Sequence, residues 1–115
     1  VNRATNESVT DICVNVVPGI CGFTCHIHAR KKSSSLVAIE IGESDCEQIQ
    51  RLADRLSEMS LKDLFLPLTR NPVYIAAEKS GCHPSCVIPC AVLKAVEAAM
   101  GMALPRSVKI ELEEC

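Results

Sequence analysis

The spacing of apolar and polar residues changes period along this chain, and each change marks an element. Residues 12–17, ICVNVV, alternate as a strand does, and Pro18-Gly19 then reads as a turn. Residues 21–30 alternate most clearly. Cys21, Phe23, Cys25, Ile27 and Ala29 share one face, and Gly22, Thr24, His26, His28 and Arg30 the other. Arg30-Lys31-Lys32 with the three serines after it reads as a solvated hairpin turn, and residues 36–41 return as a third strand with Val37, Ile39 and Ile41 on its buried side.

The period then lengthens to that of a helix. Ser44 and Glu47 have the spacing of a capping box, which places Cys46 at the second helical position. Cys46, Ile49, Leu52, Ala53, Leu56 and Met59 form one apolar stripe. Residues 61–66 predict a turn or two of helix before Pro67. Pro72 fits the first turn of a short helix over 73–79, which Gly81 would end. A third helix begins between Cys86 and Pro89 and runs to about Met100, with Gly101 and Pro105 stopping it. Val108, Ile110 and Leu112 alternate with Lys109, Glu111 and Glu113 as a final half-exposed strand. The expected fold is therefore α+β: a two-layer sandwich, a mostly antiparallel sheet with helices on one face. One domain over 1–115 is expected, with its core at about 11–113, a flexible segment 1–10 and frayed ends.

Composition narrows the function. A net charge of -2 and three aromatic residues leave neither the basic footprint nor the stacking surface of a nucleic-acid binder. The longest apolar run, 95–104, is broken by Glu97 and Gly101 and falls short of the roughly 20 residues of a membrane helix. The chain opens at Val1 on a polar segment, so any leader is taken to have been removed. No phosphate loop, dinucleotide fingerprint or nucleophile elbow is present, which makes enzymatic activity the weaker expectation.

Eight cysteines carry the chemistry. A secreted disulfide domain would use all of them, and Asn6-Glu7-Ser8 even matches a glycosylation sequon. The supply of Leu, Ile, Val and Ala argues for a core without covalent staples. Cys21 and Cys25, four apart on one strand, would have Cα atoms about 13 Å apart. A disulfide needs about 7 Å or less.

Cys21 and Cys25 on the strand, Cys46 at one helix start, and Cys82, Cys86 and Cys90 around another all converge on the layer between sheet and helices. Helix N-termini favour anions, so Cys46 and Cys86 are expected to have lowered pKa values. Cys13 faces away and Cys115 is terminal, which excludes both. The six remaining thiols form a dispersed metal site without zinc-knuckle or ferredoxin spacing. Against this stands simple packing, since free cysteine behaves as a small buried hydrophobe. His26 and His28 read as a surface pair, and His83 as a solvated turn residue beside the cysteines.

The segments GICGFTCHIHA, IGESDCEQIQRLADRL and HPSCVIPCAVLKAVEAAMGMALPRSVKIELE resemble a family of small uncharacterised proteins from methanogens and other strict anaerobes. The resemblance implies an anaerobic cytoplasm in which thiols stay reduced, and its matching cysteines are Cys21, Cys46 and Cys86. The leading expectation is a metal-binding module with those three ligands and a fourth from Cys82, Cys90 or Cys25. Four thiolates suit an iron–sulfur cluster or zinc, and the anaerobic setting favours the cluster. Such a module would transfer electrons, deliver clusters or serve as a subunit beside a protein or redox partner. The competing expectations are a metal-free thiol redox or sensor protein and a non-catalytic interaction subunit whose cysteines pack the core.

Overall fold

The computed structural model describes residues 10–42 and 44–115. Four strands form one antiparallel sheet in the order β1 (Asp11–Val16), β2 (Cys25–Ser33), β3 (Leu36–Gly42) and β4 (Glu58–Ser60). The helices are α1 (Glu47–Arg55), α2 (Leu61–Leu64), α3 (Pro72–Lys79) and α4 (Ile88–Ala99), with a 3-10 turn at Leu68–Arg70. Sheet below and helices above give the expected α+β architecture.

Register explains the layering. Ile12 lies opposite Ala29, Val14 opposite Ile27 and Val16 opposite Cys25, while Ile39 and Ile41 face the same two β2 residues from the other side. These side chains all lie on one face, and α4 packs over β1 and β2 while α1 packs over β3 and α3. Ile27, Val37, Leu52, Val73, Ile88, Val92 and Val96 are wholly buried at this junction. The opposite face stays open and polar. There His28 lies between Asp11 and Glu40 on the flanking strands, Nδ1 being 3.5 Å from Glu40 Oε1, and His26 Nδ1 meets Asn15 Oδ1 at 2.8 Å. Both histidines are thus occupied by polar cross-strand neighbours, as their reading as a surface pair anticipated.

Two helix ends follow from glycine. Gly81 at φ +81° lets its own N–H reach Glu78 O at 3.1 Å and the next N–H, of Cys82, reach Ala77 O at 3.0 Å. Gly101 does the same for α4, with Met102 N donating to Glu97 O. Both are Schellman stops, which satisfy carbonyls that the helix itself leaves open. Asn71 begins α3 by accepting from Val73 N at 3.0 Å, and its buried amide also donates to backbone carbonyls of the preceding turn.

Several sequence expectations need correction. The second strand starts at Cys25, because residues 19–22 turn back on themselves, Gly22 N donating to Gly19 O at 2.9 Å. The basic run lies within β2, and the hairpin turn is Ser34-Ser35 alone. No capping box forms at α1. Ser44 Oγ instead accepts from Cys46 N at 3.2 Å, a short turn ahead of the helix, so Cys46 is the N-cap and not the second helical residue.

The apolar stripe reaches Met59, but the helix stops at Arg55, since Glu58–Ser60 pairs with β3 as a strand the periodicity did not announce. The predicted final strand is not formed. Residues 108–112 form no regular element, and among the described residues they join no sheet. Alternation made them strand-like, yet a ladder needs a partner edge, and none of the described strands pairs with them. The predicted flexible segment 1–10 lies almost wholly outside the described residues.

A candidate thiol cluster between sheet and helices

Each thiol reaches the cluster by a different local device. Cys21 sits at the tip of the turn over residues 19–22, in which Gly19 and Gly22 adopt positive φ, and not on a strand face as expected. Cys25 is the first residue of β2 and points into the layer, where it is buried. Cys46 caps α1 and donates its S–H to Gln48 Oε1 at 3.2 Å. Cys82 is set by the Schellman stop of α3. Four residues later the turn His83-Pro84-Ser85-Cys86, closed by Cys86 N donating to His83 O at 3.0 Å, brings Cys86 to the start of α4.

All eight cysteines are free thiols. Cys86 and Cys46 act on the charge of Cys25 and of Cys82, and Cys46 and Cys21 act on that of Cys86. Four of the other five expected ligands, from four separate segments, thus lie within electrostatic reach of Cys86. Cys90 is not among them. It is exposed on α4, on the side of Tyr74. Cys13 lies on the open sheet face opposite His28, and Cys115 is at the exposed end.

The electrostatics run against the expected acidification at helix starts. Burial, then Cys86 and Cys46, push Cys25 up from 9.0 to about 11. Burial also raises Cys86, with Cys46 and Cys21 adding to it and the Ile88 N–H partly offsetting it. Cys82 is raised by burial and by Cys86 and Cys46, while Arg51 pulls it back. At Cys86 desolvation outweighs the helix start because the thiol is half-buried against the core. Arg51 was not legible as part of the site. Its Nε donates to Ser80 O at 3.0 Å and ties α1 to the end of α3, a contact across 29 residues that no local spacing encodes.

A pH dependence follows for the metal-free protein. A thiol whose folded pKa exceeds its unfolded value adds stability that is whole below about pH 9 and is lost as pH rises through the folded value. The urea midpoint is therefore expected to fall between about pH 9 and the value of about 11 held by Cys25. Cys25→Ala should flatten that fall. An unchanged slope in the variant would remove Cys25 from the buried set.

Among the described residues, no three His, Cys, Asp or Glu side chains already stand in the arrangement of a metal site. No described helix is long and apolar enough to cross a membrane. An open antiparallel sheet, helices on one face and thiols gathered between them define a small α+β protein with a cysteine cluster. The chain belongs to the family of unknown function DUF6951, whose model matches residues 12–112. No curated protein and no solved structure matched the chain.

Proposed function

We propose that this protein is a cysteine-ligated metal-binding module, with Cys21, Cys46 and Cys86 as ligands and Cys25 or Cys82 completing the set. The observation that supports this reading is that thiols from four segments lie within electrostatic reach of Cys86, and that Cys86 and Cys46 raise the cost of charge on Cys25 and Cys82. A soft cation relieves that cost by neutralising several thiolates at once, which makes an all-sulfur donor set suited to an iron–sulfur cluster or zinc. Two of the donors sit on turns, at residues 19–22 and 83–86, and the Cys46 thiol needs only to leave Gln48. Small rearrangements of these parts would draw the sulfurs into a closed set.

The anaerobic cytoplasm implied by the sequence resemblance favours iron–sulfur. A bound cluster would supply one-electron chemistry; the chain's own residues hold it and exclude water from one side. A protein or redox partner would then complete the pathway. The thiol redox reading is weaker, because a nucleophilic cysteine requires a lowered pKa and the three shifted cluster thiols move upward.

The test is anaerobic purification, a visible absorption spectrum, and iron, zinc and sulfide analysis of the same sample. Broad visible absorption with iron and sulfide supports the cluster. Zinc without colour supports a structural metal. Absence of any metal after reconstitution with iron and sulfide, or with zinc, overturns the proposal and leaves packing as the role of the thiols.

A further inference from the structure

Beyond Gly101 the chain carries five large exposed apolar side chains on a segment without helix or strand: Met102, Leu104, Val108, Ile110 and Leu112. Val108 is 57% exposed, Ile110 69% and Leu112 90%, values that belong to no packed strand. Lys109 and Glu111 alternate with them in sequence, their charged ends 3.5 Å apart. The segment thus has the alternating pattern of a half-buried strand and lacks a sheet. Exposed apolar runs of this kind mark interaction sites.

The molecule also has an edge to offer. Among the described residues β1 pairs only with β2, so the outer side of Asp11–Val16 presents unpaired backbone groups. Such an edge recruits a strand unless it is covered. Its length is six residues, the length of the alternating run 108–113. The side-chain parity also suits: Ile12, Val14 and Val16 face the helices, and Val108, Ile110 and Leu112 would extend that layer, leaving Lys109, Glu111 and Glu113 on the polar open face. Edge and segment, all but Asp11 and Glu113, lie within the matched family length, residues 12–112.

We propose that two copies of this chain form a dimer in which residues 108–113 of each add as a strand to the β1 edge of the other. Among the described residues each copy has one alternating segment that joins no sheet and an unpaired outer side on β1. A reciprocal exchange satisfies both pairs about one two-fold axis and closes the assembly. Residues 102–107, which contain Pro105, form the connecting arm.

Sedimentation velocity of the full chain in reductant tests this, reductant being needed because Cys13 and Cys115 are exposed. The expected particle has twice the 12.4 kDa chain mass. Ile110→Pro, which removes a ladder N–H from a segment that touches no core, should be monomeric at concentrations where the parent is fully dimeric. Hydrogen exchange supplies the second readout: outward amides of β1 should be protected in the parent and exchange rapidly in Ile110→Pro, while β2 and β3 amides change little. A dimer that survives Ile110→Pro overturns the proposal, because it uses another face. A monomer overturns it too; protected β1 amides would then mean docking on the chain's own edge, and unprotected ones a different protein partner.

Discussion

Cys86→Ser is expected to leave a folded protein that no longer retains metal. Cys86 is the thiol with the most neighbours in the cluster, feeling Cys46 and Cys21 and acting in turn on Cys25 and Cys82. A serine hydroxyl keeps the shape but is a poor ligand for a soft metal at neutral pH. Loss of an outer-sphere partner alone costs about 10–100-fold in metal affinity, so loss of a direct ligand should exceed that range. Cys46→Ser should behave alike. Cys13→Ser, on the open face, should keep the full metal content and change stability by no more than about 0.5 kcal/mol. Metal analysis of the three variants, purified side by side without oxygen, decides the matter. Equal retention in all three would sink the cluster.

The largest loss of stability is expected from Leu52→Ala. Leu52 is at the centre of α1, fully buried where that helix meets β3 and α3. Truncation removes its transfer free energy and leaves a cavity that the close-packed layer fills only in part. The expected cost is about 2–5 kcal/mol, a large share of the roughly 5–15 kcal/mol that holds a domain together. Leu68→Ala makes the contrast, because Leu68 is largely exposed on the 3-10 turn and should cost no more than about 0.5 kcal/mol. Urea denaturation measures both. Similar midpoints for the two variants would mean that the junction of α1 with the sheet is not where the fold is held.

Much of this architecture could be read from local periodicity. The β2–β3 hairpin, the start of α3 at Asn71-Pro72 and the stops at Gly81 and Gly101 all depend on residues within a few positions of one another. The features that could not be read depend on distant contacts. β4 exists because Glu58–Ser60 meets the start of β3, and that pairing ends α1 before its apolar stripe runs out. Conversely, residues 108–112 alternate well but join no edge among the described residues.

The site divides in the same way. Strand parity and the helix starts placed Cys25, Cys46, Cys82 and Cys86 near one layer; Cys46 and Cys86 do act electrostatically on Cys25 and Cys82, while no three-donor metal arrangement stands among the described residues. Cys21 arrives by a different route, through a turn rather than a strand face. The sign of the thiol shifts also depended on burial, which only the assembled layer determines. A helix start suggests an acidified thiol when it is wet. Here the start of α4 is packed against the sheet, and desolvation governs.

The thiols are also far apart in the chain: Cys21 and Cys86 are separated by more than half its length. A chain emerging from synthesis holds Cys21, Cys25 and Cys46 long before the Gly81 stop and the His83–Cys86 turn exist to present the others. The complete set of sulfurs is therefore present only once the second half of the chain has been made. A metal held by all of them would report that segments from both halves had come together.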